Sequence, residues 1–203
     1  MMKRFDLISI ILLFLCSCES DLLEKTIFIP DENDGNLPAY TEWGYNSFGA
    51  KYERSYFIAT NKIVPCKITY QNGILNFSLI GRTGLGYYSN HYDNGEMTLT
   101  FSFPCDSMKE YKDLMVLHKK EYNLADESFE LKITQNNETE ILTIISGHLA
   151  FKRAQLLRVD DQENRVILSG TFDARFLRNL IPEVMSDGRF DLGINYLYNL
   201  SEY

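Results

Sequence analysis

Asn72-Gly73 lies between two runs that alternate apolar and polar residues, and it limits the fold more than any other stretch of this chain. A two-residue hairpin turn needs positive φ at both central positions, which Asn-Gly tolerates well. Centring the turn there makes paired residue numbers sum to 145. Tyr70 then faces Leu75, Ile68 faces Phe77 and Cys66 faces Leu79. Thr69 with Asn76 and Lys67 with Ser78 make the opposite, polar face. A slip of one residue would turn every apolar side chain outward, so turn chemistry and side-chain period demand one register.

The same signals recur along the chain. Asn94-Gly95 leads into Met97, Leu99, Phe101 and Phe103, which alternate with Thr98, Thr100 and Ser102. Phe129-Leu131-Ile133 and Ile141 to Ile145 flank an Asn136-Asn137 turn. Leu149 to Val159 and Arg165 to Phe176 flank Asp160 to Asn164, with Val166, Leu168, Phe172, Ala174 and Phe176 on one face. Ser186-Asp187-Gly188 reads as a turn, followed by Phe190, Leu192, Ile194, Tyr196 and Tyr198 in alternation. Ser107-Met108-Lys109-Glu110 resembles a capping box, and it predicts one helix from Met108 to about His118. Tyr and Phe, at 13 each, outweigh five Pro, which suits packed strands. These elements predict an all-β chain, an antiparallel β-sandwich or curled barrel with one short α-helix.

Charges supply a register test for the last two strands. Asp173, Arg175, Arg189 and Asp191 point away from the apolar face. If the strands pair, a sum of 364 would oppose like charges, such as Asp173 with Asp191, and is expected to be avoided. Sums of 362 or 366 would oppose unlike ones.

The first residues carry a different message. Lys3 and Arg4 precede the apolar Leu7 to Leu15, a run too short to span a bilayer as a stable helix. Leu15-Cys16-Ser17-Cys18 follows. It reads as a lipobox, with residues 1–17 as signal peptide and Cys18 as the lipid-attachment residue. Two or three acyl chains there would hold the chain on a membrane, where one would be marginal. Glu19 and Asp21 resemble the acidic export signal of surface lipoproteins. The expected address is the outer membrane, at the cell surface or on the periplasmic leaflet. Residues 18–38 read as lipidated Cys and linker, and 39–203 as a single β-rich domain. After Leu15 no apolar run is long enough to span a membrane.

The formal charge is −8; removing Lys3, Arg4 and Asp6 with the leader takes away +1 and leaves −9. With no basic cluster, such a surface repels phosphates, so nucleic acid is not an expected partner. Chemistry-bearing motifs are sparse. His91, His118 and His148 lack metal-ligand spacing, and no cofactor or metal is expected. Gly81 to Gly86 is Gly-rich but lacks a P-loop Lys, and reads as a loop. Asp31 to Asn36 lacks the calcium-loop ligand pattern and reads as a solvated turn. Cys66 and Cys105 are in phase with core residues; export permits a disulfide between them, against two buried thiols. Asp106-Ser107-Met108 resembles the O-glycosylation acceptor of Bacteroidota, although a helix cap would use the same Ser107. Of the aromatic residues between Ala39 and Phe57, most are expected in the core. Trp43 with Tyr87, Tyr88, His91 and Tyr92 forms the candidate ligand patch.

Leu37-Pro38-Ala39-Tyr40-Thr41-Glu42-Trp43-Gly44-Tyr45-Asn46-Ser47-Phe48-Gly49-Ala50 resembles a stretch of uncharacterised exported lipoproteins of Bacteroidota. So do Phe151 to Asp160, Ser169-Gly170-Thr171-Phe172-Asp173 and Ser186-Asp187-Gly188-Arg189-Phe190-Asp191. The resemblance implies an exported lipoprotein with a β-rich domain and supplies no catalytic residue. The leading reading is a non-enzymatic, membrane-tethered module that binds a glycan or protein partner or serves as an envelope component. A small-ligand carrier with an apolar pocket inside a curled barrel is the alternative, and a hydrolase the third.

Overall fold

The structure, a computed structural model, describes residues 26–59, 65–86, 95–106, 108–159, 162–195 and 200–202. These residues contain β1 (Ser47–Tyr52), β2 (Ser55–Ala59), β3 (Cys66–Gln71), β4 (Ile74–Gly84), β5 (Glu96–Pro104), β6 (Lys120–Asn123), β7 (Glu130–Gln135), β8 (Glu138–Val159), β9 (Gln162–Arg178), β10 (Ile181–Ile194) and β11 (Leu200–Glu202). Eight of them close into an antiparallel barrel in which chain neighbours are sheet neighbours, β1-β2-β4-β5-β7-β8-β9-β10 and back to β1. Of the two expected forms, the chain adopts the curled barrel. β3 extends the sheet beside the first half of β4, β6 lies beside β8, and β11 adds to β3 in parallel.

Local turn chemistry sets most registers. Asn72 and Gly73 both have positive φ, and Tyr70 faces Leu75, Ile68 faces Phe77 and Cys66 faces Leu79. Asn136 and Asn137 turn the same way between β7 and β8. Met97, Leu99, Phe101 and Phe103 are buried, as are Val166, Leu168, Phe172, Ala174 and Phe176. An eight-stranded barrel is just wide enough for side chains to fill it. Phe77 occupies the interior with Phe101, Phe151 and Phe190 around it, at ring-centroid distances of 6.2, 5.5 and 5.1 Å. The hairpins at Glu53-Arg54, Asn136-Asn137 and Asn179-Leu180 lie at one end, the hairpin end. β1 begins and β10 finishes at the other, the strap end.

Several expectations are corrected. The β9–β10 turn is Asn179-Leu180, both at positive φ, and not Ser186-Asp187-Gly188. The latter lies inside β10 as a bulge, with Asp187 in the left-handed region. Gly81 to Gly84 is the end of β4, not a loop. The predicted α-helix is a 3-10 helix, Tyr111–Leu117. Its N-cap is Glu110, in a capping box with Asp113, whose Oδ2 accepts from the Lys109 and Glu110 amides at 2.7 and 3.1 Å. Three residues per turn puts Leu114 and Leu117 on one face, and both are buried. Ser107 lies outside the described residues.

β9 and β10 pair, Asp191 faces Ser169 and Arg189 faces Thr171. The 364 register is avoided, but the unlike-charge registers are not used either. The turn and the bulge fix the register, and the charges find partners elsewhere. His148 Nδ1 lies 2.5 Å from Asp173, and Arg189 Nη1 lies 2.6 Å from Asp31.

The residues before Ala39 are not a free linker from Thr26 onward. Ala39 donates to the Ile29 carbonyl at 2.7 Å, Pro30 bridges Pro38, and Ile27 donates to the Tyr45 carbonyl at 2.8 Å. Residues 26–46 thus form a doubled strap on the outer wall. Leu37 is fully buried beneath it, where Gly49 leaves room: a Cβ on Gly49 would stand 2.5 Å from Pro38 Cδ. The Asp31 to Asn36 turn is therefore anchored as well as solvated, since Asp34 Oδ2 lies 3.4 Å from Lys51 Nζ.

Cys66 and Cys105 are both free. Cys66 faces Leu79, while the Cys105 amide donates to the Gly73 carbonyl. Six residues of extended β4 separate those points, about 20 Å. A disulfide requires Cα atoms within about 7 Å, so the expected alternative of a bridge is overturned. Alkylation of the denatured, unreduced protein should label both thiols, and reduction should leave its mass unchanged. In the native protein Cys66 should resist labelling, because it is fully buried and burial pushes its thiol pKa up.

Candidate functional site: the strap and the outer-wall groove

Asp191 faces outward from β10, yet it is 1% exposed because the strap folds over it. Its carboxylate accepts from the Thr41 hydroxyl at 2.5 Å and from the amides of Trp43, Gly44 and Tyr45 at 3.0, 2.7 and 3.2 Å. Hydrogen bonds to an ionised acceptor are the strong kind. Gly44 suits this position because its φ is +75°, a left-handed conformation that side chains with a Cβ rarely adopt. Asn46 Oδ1 adds a bond from the Gly193 amide at 2.9 Å. The strap is thereby welded to the seam between β1 and β10.

This weld holds two aromatic side chains on the outer wall. Tyr40 is half-exposed and donates to Glu42 Oε1 at 2.9 Å; the other Glu42 oxygen accepts from Arg153 Nη1 at 2.9 Å. Burial, with the bond to Glu42, pushes the Tyr40 hydroxyl pKa up to about 12. The same hydroxyl, reinforced by Arg153, holds Glu42 below its ordinary 4.5. Beside Tyr40 runs a groove of about 290 Å³, lined also by His148, Thr171, Asp173, Asp187 and Arg189. Its rim is built of paired groups. His148 is bound to Asp173, Arg189 to Asp31, and Asp187 Oδ2 lies 2.9 Å from Lys51 Nζ.

Trp43 is on the strap and 70% exposed, but it does not line this groove. Tyr87, Tyr88, His91, Tyr92 and Cys18 lie outside the described residues, so of the expected ligand patch only Trp43 can be placed. His118 is remote from His148 in role: its Nδ1 accepts from the Ala154 amide at 3.2 Å. Among the described residues, no group of three or more His, Cys, Asp or Glu is placed to hold a metal. Sequence reasoning missed Tyr40, Asp191 and the His148–Asp173 pair as parts of a site. The only signal was that Asp173 and Asp191 point outward from strands whose other faces are apolar.

The hairpin end of the barrel carries a second polar assembly. Arg178 reaches Glu140 at 3.1 Å, the Tyr52 hydroxyl at 3.3 Å and Gln135 at 3.3 Å, and Tyr52 also donates to Glu183. These residues follow in phase from inward-facing neighbours, so they cap the aromatic interior with satisfied polar groups. The chain matches no protein-family model, no curated protein and no solved structure.

Two outcomes test this account. Asp191→Ala strands three amides and a hydroxyl and should cost about 2–4 kcal/mol in urea unfolding, given the worth of bonds to a buried charged group. A change within a few tenths would mean that these bonds do not hold the strap in place. For Glu42 the folded pKa is depressed, so its contribution is present above 4.5 and is lost as pH falls through the folded value. Glu42→Gln should be less stable at pH 7 by under about 1 kcal/mol, the range of half-exposed pairs. The difference should close on acidification below 4.5.

Proposed function

We propose that this chain is an exported, lipid-anchored barrel, held at the outer membrane through Cys18, whose outer wall binds glycans without catalysis. The observation that carries the binding reading is the groove beside Tyr40. A half-exposed aromatic ring stands on a rigid strap, and its neighbours are hydroxyl, imidazole, carboxylate and guanidinium groups. A sugar ring offers an apolar face for Tyr40 and a rim of hydroxyls for Thr171, His148 and Asp187. Most charges at the rim are already paired, which suits a neutral glycan better than an ionic ligand. The rings around Phe77 fill the axis that a carried apolar ligand would need, which turns the reading to the outer wall. The lipobox and the acidic residues behind it support the surface address.

Full-length protein in detergent, applied to an array of host and dietary glycans, tests the reading. Wild type should bind neutral glycans. Tyr40→Ala should weaken binding about tenfold, the effect of about 1.4 kcal/mol of lost ring contact. A blank array, or binding indifferent to Tyr40→Ala, sinks it.

A further inference from the structure

Trp43 is the only tryptophan in the chain, and it is spent on the surface at 70% exposure. Its backbone is anchored, the amide donating to Asp191 at 3.0 Å. Two further apolar side chains of the same strap are open to solvent, Ile27 at 45% and Ile29 at 40%. All three lie where the chain enters the fold, since Ile27 bonds to Tyr45, two residues before β1.

The place of that entrance matters. Seven residues separate Cys18 from Thr26, a reach of about 28 Å over the eight steps even when fully extended. A lipid on Cys18 would therefore hold Thr26, and the strap it opens, within about 28 Å of the bilayer. Trp is the residue that favours the membrane–water boundary, where its ring is apolar and its N–H stays wet. Two carboxylates of the strap are paired, Glu42 with Arg153 and Asp31 with Arg189.

From this geometry we infer that Ile27, Ile29 and Trp43 form a membrane-seating rim that lies on the lipid surface holding Cys18. The inference rests on the lipid anchor and is separate from the Tyr40 groove, which Trp43 does not line. Seating fixes the orientation of the barrel on that surface. Contact is apolar, so it needs no anionic lipid and persists at high salt.

Acylated full-length protein reconstituted in phosphatidylcholine vesicles tests the rim, with Trp43 as its own reporter. Emission should be blue-shifted and largely quenched by lipids brominated near the headgroup, with little change in high salt. Lipids brominated near the bilayer centre should quench weakly. An intact mass with acyl chains on Cys18, together with the unquenched red emission of a water-exposed indole, overturns the seating and leaves the anchor standing. A mass without acyl chains overturns both. Quenching absent in vesicles but a blue shift in native membranes would assign the rim to a protein partner and also overturn the inference.

Discussion

Closure of β1 onto β10 is the constraint on which the rest of this protein depends. It joins Ser47 to Asp191 across most of the folded chain. Without it the meander would be an open sheet with two exposed edges. The cost is a long loop closure that local turns cannot prepay. The seam also shapes the outer wall beneath the strap. It sets Asp191 where the strap amides converge, and Gly49 where Leu37 and Pro38 must lie. The strap is in this sense a product of barrel closure.

Phenylalanine rings fill the barrel interior around Phe77. The barrel's inward residues are occupied by phenylalanine rings in contact and, at the hairpin end, by the Arg178 assembly. Under the proposed binding role, recognition would fall to the outer wall. The strap supplies what a bare antiparallel wall lacks: relief, aromatic rings and fixed carboxylates. Tyr40 shapes a groove above β8, β9 and β10, while Trp43, three residues on, stands apart from it. One rigid loop can thus present two different surfaces.

The hairpins were legible because their causes are local. Asn72-Gly73 and Asn136-Asn137 carry their φ preferences in the residues themselves, and alternation then decides which face is buried. Asn179-Leu180 was not legible, because Leu disfavours the positive φ it adopts there. Ser186-Asp187-Gly188 has turn composition but sits in a bulge, since bulges and turns use the same left-handed residues. Phe103 and Cys66 showed their faces correctly, yet in-phase burial said nothing of distance along β4. The candidate site was scarcely visible. Tyr40, Asp173, His148 and Asp191 come from four separated segments, and only the pairing of β8, β9 and β10 makes them neighbours.

The sequence by itself determined most of the strand pattern, the registers at Asn72-Gly73 and Asn136-Asn137, and the apolar faces. Each depends on neighbours within a few residues, through backbone preference or side-chain period. Tertiary structure alone decided barrel over sandwich, the separation of the two thiols and the strap's place on the wall. It also decided that Asp191, outward by alternation, is buried. Those outcomes depend on which distant strands meet, and a register between residues 47 and 191 is written in no local stretch of chain.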